Sequence, residues 1–226
     1  KGAVFRGSEL WLSVDGSTVP YRVQTEAAAA GSLIDLVPPR TNLSVGEPSF
    51  TGDSTVYVTS ATPLGFSVFD DYTVPGDGLG VGATQTFYTE GGAYLRFSSS
   101  FTLVAEGAHT ISFFSIDREG RAEAVKTQSV TVDLTAPVVT LVLSGTQYAL
   151  IAEDPVVAGA ASGIEGIQYV VDIDPAACDS VEPDTAAPRG TCANPDYSGP
   201  FALTPGTHTV ALAAIDRVGN EVSFSS

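Results

Sequence analysis

One short segment occurs twice in this chain, and its repetition limits the folds that the chain can adopt. HTISFFSIDREG occupies positions 109 to 120, and HTVALAAIDRVG occupies positions 208 to 219. The two histidines that open these copies are the only ones in the chain and lie 99 residues apart (208 minus 109). Further upstream, DLVPP begins at Asp35 and DLTAP at Asp133, 98 residues later (133 minus 35). Landmarks repeated at nearly constant spacing indicate a duplicated structural unit.

The repeat divides the chain into three parts. Residues 35–134 form the first predicted unit and residues 135–226 the second, each about 100 residues long, which is typical of a small domain. Residues 1–34 belong to neither unit. Within them, LWLSVDGSTVPYRV (10–23) places an Asp-Gly pair between two alternating apolar runs, which predicts a β-hairpin. One hairpin is only marginally stable alone, so it is either docked on the first unit or the tail of a preceding module. We expect the tail, and therefore a longer parent chain.

Each unit has the hydrophobic pattern of an all-β domain. Ile111 and Phe113 alternate with polar residues in the first copy, and Val210 and Leu212 alternate with small residues in the second. A period of two is typical of a strand that buries one face. The segments IDREG and IDRVGN then predict tight turns, with glycine at the position of unusual backbone angles. Short strands and regularly spaced turns over about 100 residues predict an antiparallel β-sandwich in each unit.

Charge and hydropathy exclude several classes of function. The net charge is −16 and the pI is about 4.2, so nucleic acids and anionic membrane surfaces would repel the chain. No apolar run approaches the ~18 residues that span a bilayer, so we expect no membrane insertion. The chain begins at Lys1 without a signal-peptide pattern, and we expect any export signal to have been removed. A strongly acidic protein remains compatible with hard cations as ligands.

Two cysteines give an indication of the compartment. Cys178 and Cys192 are the only ones, and both fall in an insertion that the first unit lacks. The segment between them, DSVEPDTAAPRGT, has the composition of a loop. The alternatives are a disulfide and two unrelated free thiols. Because exposed thiols in an irregular loop are a liability, we expect a disulfide, worth ~3 kcal/mol in the chain-entropy model, on the surface of a protein from an oxidising compartment.

The order of the motifs resembles a known group of repeats. The first unit runs from PPRTNLSVGEP through YVTSATPLGFSVFDD to VDLTAP, and the second contains SGIEGIQYVVD and PFALTPGTHTVALAAIDRVGN. This pattern covers about 38–226 and resembles the immunoglobulin-like and fibronectin-type-III-like repeats of large secreted or cell-surface bacterial proteins. The segment DREGR departs from the pattern, because Arg121 replaces the usual Asn.

The resemblance implies two tandem immunoglobulin-like (Ig-like) sandwiches that act as spacers, stalks or adhesive arms. Their partners would be neighbouring Ig-like modules of the same longer chain, and in an adhesive role a glycan or protein ligand at a cell surface. Such modules are extracellular and sometimes flank enzymes as accessory domains.

No motif in the sequence indicates a catalytic site. His109 and His208 occupy equivalent positions in separate units, so they are poorly placed to share one active site. We expect each ring to bond nearby backbone instead. The chain has no nucleophile elbow, Walker loop, zinc-ligand spacing or EF-hand loop. We therefore predict that the protein is not an enzyme.

Acidic residues recur where one end of each predicted sandwich would lie. At that end the chain enters the domain, the loop after the second strand returns, and the last hairpin turns. The candidates are Asp35, Asp71 (or Asp70) and Asp117 in the first unit, and Asp133, Asp154 (or Glu153) and Asp216 in the second. Several carboxylates together with backbone carbonyls suit Ca²⁺, and the arrangement resembles the inter-domain calcium sites of cadherins.

Two alternatives remain open for these residues and for the function. The aspartates could instead cap their own turns, with Arg118 and Arg217 neutralising the charge. A second possible function is a carbohydrate-binding accessory module of a secreted glycan-active protein. That function would need several exposed aromatic rings close together, and the candidates are Trp11, Tyr72, Tyr94 and Tyr197.

Overall fold

β-Strands are the main regular structure of the described residues, among which there is no α-helix. A computed structural model describes residues 3–6, 9–14, 17–22, 35, 37–70, 82–178 and 181–225. Among these residues, no helix has the length and apolar character that crossing a membrane requires. The elements before residue 133 are β1 (Ala3–Arg6), β2 (Glu9–Val14), β3 (Ser17–Arg22), β4 (Arg40–Val45), β5 (Ser49–Gly52), β6 (Thr55–Val58), β7 (Leu64–Phe69), β8 (Ala83–Thr89), β9 (Leu95–Arg96), β10 (Gly107–Asp117) and β11 (Lys126–Val132). The later elements are β12 (Val138–Ser144), β13 (Gln147–Glu153), β14 (Ile164–Val171), a 3-10 turn (Pro175–Ala177), β15 (Val210–Asp216) and β16 (Glu221–Ser225).

The predicted N-terminal hairpin is present. Strands β2 and β3 pair antiparallel, with Val14 opposite Ser17. Strand β1 adds to the other edge of β2, with Ala3 opposite Leu12, so that the segment forms a three-stranded sheet. Its assignment to a preceding module stays a prediction.

Contacts group the chain into two compact units whose limits differ from those of the sequence repeats. The first unit comprises Lys1–Val45, Leu64–Phe101 and Thr110–Gln128, and the second comprises Gly46–Pro63, Thr102–His109 and Ser129–Ser226. The second unit therefore includes three segments of the first sequence repeat, residues 46–63, 102–109 and 129–134. The repeat limits 35–134 and 135–226 stay predictions from the sequence.

The first compact unit contains paired sheets around an aromatic cluster. Strand β4 pairs with β7, and β10 pairs with β8, all antiparallel. Along β10, Ile111 and Phe113 are buried and their neighbours are more exposed, which confirms the predicted period of two. Phe66 of β7 lies across from β8 and β10, with ring centroids 5.6 Å from Tyr88 and 5.1 Å from Phe113. These contacts close the sandwich core of this unit.

The second compact unit has a similar aromatic stack but a different buried face on the repeated strand. In β15, Ala211 and Ala213 are buried, whereas Val210 and Leu212, which the sequence predicts on the buried face, are half-buried. Strand β12 pairs with β13, and β14, β15 and β16 form a three-stranded antiparallel sheet. Tyr169 of β14 stacks on Phe201 with centroids 4.4 Å apart. In the first unit, Tyr88 and Phe101 stack in the same way at 4.3 Å. The fold is thus all-β, with tandem Ig-like antiparallel β-sandwiches preceded by a short hairpin segment.

The inserted segment of the second repeat contains the predicted disulfide. Cys178 and Cys192 are bonded to each other. The insertion then runs beside β14, because Gly190 O accepts a hydrogen bond from Val171 N at 2.9 Å. Gly190 has φ of +80°, and a Cβ there would lie 2.6 Å from the Tyr169 ring. The insertion therefore covers a core aromatic residue while most of its own residues stay exposed or half-buried.

Candidate metal centre

Asp216 ends β15 and organises the turn that follows. Its Oδ1 accepts hydrogen bonds from Val218 N at 2.9 Å and Asn220 N at 2.8 Å. Gly219 has φ of +93°, a conformation that glycine adopts without steric cost. One carboxylate oxygen thus closes the turn, as the capping alternative predicts. Its Oδ2 accepts a hydrogen bond from Asn220 Nδ2 at 2.7 Å.

Asp133 follows β11 directly and is fully buried. Its backbone N–H donates to Val58 O at 2.9 Å, which extends the pairing of β11 with β6. Its Oδ2 accepts from Ser162 N at 2.6 Å, and its backbone carbonyl accepts from Asn220 Nδ2 at 3.0 Å. The residue that joins the two sequence repeats is therefore held by the loop before β14 and by the turn after β15.

Asp154 follows β13 and is the third acidic residue of the cluster. Its Oδ2 accepts from Gly163 N at 2.6 Å. Its Oδ1 is buried and accepts no hydrogen bond from the residues that the structure describes. The hydroxyl of Ser162, a residue only 4% exposed, is also buried and has no hydrogen-bond partner among them. The neighbouring Glu153 is exposed, so of the two sequence candidates it is Asp154 that lies in the cluster.

The three carboxylates form a compact group of oxygen ligands. One oxygen each from Asp133, Asp154 and Asp216 lies within 4.8 Å of the other two. Ca²⁺ binds oxygen at about 2.3–2.6 Å, so oxygens on opposite sides of one ion are about 5 Å apart. The spacing therefore fits a single Ca²⁺ ion. We name these three residues the aspartate cluster.

The aspartate cluster is electrostatically unfavourable without a cation. Burial raises the pKa of Asp154, the negative charges of Asp133 and Asp216 raise it further, and the hydrogen bond from Gly163 N opposes them. In the described part of the chain, no salt bridge joins Arg217 to these carboxylates. Its guanidinium lies over the ring of Phe50, 4.8 Å from the centroid. The predicted neutralisation by Arg217 is thus not what the structure shows.

The first repeat reproduces the turn that holds Asp216. Asp117 ends β10, and its Oδ1 accepts from Glu119 N and from Arg121 N, both at 2.8 Å. Gly120 has φ of +85°. The repeated IDREG and IDRVGN segments therefore fold alike, with the aspartate as the acceptor and glycine in the left-handed region, as the sequence predicts.

Two further aspartates of the first repeat make hydrogen bonds like those of their counterparts in the second. Among the described residues, however, only the second repeat brings three carboxylates within ligand distance of one another. Asp70 Oδ2 accepts from Gly82 N at 2.5 Å, as Asp154 Oδ2 accepts from Gly163 N. Asp35 is fully buried, and its Oδ1 accepts from Val37 N at 3.0 Å. At the position that corresponds to Asp154, the sequence predicts Asp71 with Asp70 as the alternative. Asp71 lies outside the described residues.

Each histidine ring bonds nearby backbone, as the sequence predicts. His109 Nε2 lies 2.7 Å from Ala105 O, and His208 Nε2 lies 2.8 Å from Thr204 O. His208 Nδ1 also lies 2.6 Å from Asp172 Oδ2. Asp172 is not predictable from the sequence as the partner of His208, because 36 residues separate the two and no local motif connects them.

The described candidates for a carbohydrate platform pack in different places. Tyr94 is 44% exposed and meets the ring of Phe114 edge-on at 5.2 Å. Tyr197 is half-buried and meets Tyr169 edge-on at 6.0 Å. The Trp11 side chain and Tyr72 are outside what the structure describes. The carbohydrate-binding alternative stays a prediction.

Comparisons with known proteins give limited information. No known protein-family model matches the sequence. No curated protein matches it either. Among solved structures, the chain is similar to the fibronectin(III)-like modules of CbhA from Clostridium thermocellum, with 12% identity and a TM-score of 0.38. That match covers 81% of this chain and 90% of the other. The description of the fold therefore depends on the strands and sheets given above.

Proposed function

We propose that this chain is a non-catalytic structural segment of an exported protein, built of Ig-like modules and stiffened by a Ca²⁺ ion. The ion binds the aspartate cluster. The observation that carries this proposal is the closeness of three carboxylates, with one oxygen of each within 4.8 Å of the other two. Asp133 and Asp216 are buried, and the half-buried Asp154 has a buried Oδ1 with no hydrogen-bond donor among the described residues. The disulfide between Cys178 and Cys192 supports an oxidising, extracellular location. The partners are neighbouring modules of the same longer chain.

The chemistry of the cluster favours Ca²⁺ over other ions. All of its charged ligands are oxygen atoms, and hard divalent cations prefer oxygen. Mg²⁺ requires near-octahedral geometry at about 2.0–2.1 Å and keeps several waters, whereas Ca²⁺ accepts several carboxylates in flexible geometry. Three carboxylates supply only part of the six to eight ligands that Ca²⁺ takes. Water and the buried Ser162 hydroxyl supply oxygens for the remaining positions.

The ion would connect three segments that are distant in sequence. Asp133 lies between β11 and β12, Asp154 follows β13, and Asp216 begins the turn after β15. Binding at all three points restrains the short linker between the sequence repeats and offsets the repulsion among their charges. A metal held in this way limits bending, which is the property that an extended stalk or adhesive arm requires.

The proposal is tested by calorimetric titration of Ca²⁺ into the chain at fixed ionic strength. We expect saturable binding of one ion by the wild type and at least tenfold weaker binding by Asp154→Asn. Glu153→Gln is the matched control, because it removes the same charge from the exposed neighbouring position and should bind like the wild type. Absence of saturable binding in the wild type, or equal losses in the two variants, would contradict the proposal.

A further inference from the structure

We infer that the first sequence repeat has a built-in cation in place of a metal ion: the Arg121 guanidinium neutralises the aspartates that correspond to the aspartate cluster. The chain would then bind one Ca²⁺ ion and not two. This inference rests on the proposed metal centre of the second repeat. It identifies Arg121 as the residue that determines whether the first repeat binds a metal ion.

Arg121 and Asn220 occupy the same position in two equivalent turns. Asp117 N donates to Arg121 O at 3.0 Å, and Asp216 N donates to Asn220 O at 3.0 Å. The backbone N–H of each residue donates in return to Oδ1 of the same aspartate at 2.8 Å. The two turns therefore have the same backbone contacts. Their side chains differ at this position and at Glu119, which corresponds to Val218 in the second repeat.

The two side chains bring different charges to matching acceptors. The neutral amide of Asn220 donates to Asp216 Oδ2 and to the carbonyl of Asp133. Arg121 instead places Nη1 3.9 Å from Asp117 Oδ2 and also bonds Glu119. An arginine side chain keeps its positive charge at every relevant pH. The first repeat therefore holds a permanent cation where the second holds a neutral group.

The charge of Arg121 also reaches the aspartate that corresponds to Asp133. The hydrogen bond to Glu119 raises the pKa of Arg121 most, and the negative charges of Asp117 and Asp35 raise it further. Asp117 and Asp35 are the counterparts of Asp216 and Asp133. Since a fixed positive charge beside these carboxylates repels a divalent ion, Arg121 would both replace the metal and exclude it.

Reciprocal substitutions test this inference. Ca²⁺ stoichiometry is measured by calorimetry for the wild type, Arg121→Asn and Asn220→Arg, and each unfolding temperature is measured in excess Ca²⁺ and in EDTA. We expect one ion for the wild type, two for Arg121→Asn and none for Asn220→Arg. In EDTA, Arg121→Asn should unfold at a lower temperature than the wild type. Excess Ca²⁺ should raise the unfolding temperature of the variant back to the wild-type value.

Two controls separate this effect from a general loss of positive charge or of one contact. Arg96→Asn removes the same charge from an exposed position in β9, and Glu119→Gln weakens the other ion pair of Arg121. Both should bind one ion. Arg121→Gln serves as a second replacement should Arg121→Asn fail to fold, and it should also bind two ions.

The outcomes distinguish this inference from the proposal on which it rests. Two ions on the wild type, or a single ion on both Arg121 variants, would overturn the inference and leave the metal centre standing. No ion on the wild type but one on an Arg121 variant would overturn the metal centre, and with it the predicted single ion, and would leave only the exclusion of an ion by Arg121. An ion retained by Asn220→Arg would count against the inference, and no binding by any form would overturn both.

Discussion

At the scale of single residues, the charge of Asp154 lowers the stability of the metal-free chain. Its raised pKa means that the folded chain favours the protonated side chain, so ionisation at neutral pH destabilises the metal-free fold. Asp154→Asn removes this charge and keeps an oxygen for Gly163 N. In EDTA we expect it to stabilise the chain by about 1 kcal/mol, or about 2–4 °C, and to abolish the response to Ca²⁺. A lower unfolding temperature in EDTA would contradict this explanation.

The ion pair of His208 and Asp172 gives a pH-dependent contribution to stability. Asp172 raises the pKa of His208 through a hydrogen bond, aided by Thr204 O, and His208 lowers the pKa of Asp172. The histidine contribution is complete below its unfolded pKa of about 6.5 and is lost as the pH rises through the higher folded value. The aspartate contribution is present above its unfolded pKa of about 3.9 and is lost as the pH falls.

The measurement for this pair is the free energy of unfolding against pH, in EDTA, for the wild type, His208→Gln and Asp172→Asn. The wild type should exceed both variants most clearly between about pH 4 and pH 6.5, and the difference should shrink above the folded pKa of His208. Differences that stay constant across this range would show that the two side chains act through packing alone.

The sequence identified all three residues of the aspartate cluster but not the contacts that hold them. Asp133 and Asp216 stood out because their counterparts lie 98 and 99 residues earlier, and a shared function needs shared positions. Ser162 carries no such signal, and Asn220 stood out only as a residue of its turn. Their contribution depends on the folded loop, where the Ser162 N–H meets Asp133 and the Asn220 amide meets two segments at once.

At the scale of elements, the insertion contains a disulfide that closes a loop, and it also packs against the buried ring of Tyr169. Replacing Cys178 and Cys192 together by serine frees a loop with a sequence separation of 14. We expect the free energy of unfolding to fall by about 2–3 kcal/mol, because the unfolded chain gains loop entropy. Denaturant unfolding measures this loss, and wild-type protein under reducing conditions should match the variant. Unchanged stability in both would mean that the contacts with β14 hold the insertion without the bond.

The strands were more predictable than the course of the insertion. Strand β10 alternates buried and exposed residues with period two, and this pattern is visible in its sequence. The insertion lacks periodicity, so its composition predicted only a surface loop. Its contact with Tyr169 depends on Gly190 and on carbonyls that pair with β14, and neither follows from composition.

At the scale of the whole molecule, duplication explains the repeated cores and turns but does not fix how contacts are grouped. The stacked pairs Tyr88–Phe101 and Tyr169–Phe201 are copies of one arrangement. The second compact unit nevertheless contains segments of both sequence repeats. Sequence similarity reports common ancestry of segments, whereas compactness depends on long-range packing. The all-β class was therefore predictable, and the grouping was not.

Thermal unfolding in excess Ca²⁺ against excess EDTA tests most directly the proposal that a metal ion stabilises this chain. A ligand that binds only the folded state stabilises it by RT ln(1 + [L]/Kd), about 2.7 kcal/mol at a hundredfold excess over Kd. For a chain of this length that corresponds to about 5–10 °C. We predict such a rise for the wild type and for Glu153→Gln, and none for Asp154→Asn. Equal unfolding temperatures in Ca²⁺ and EDTA for the wild type would contradict the claim.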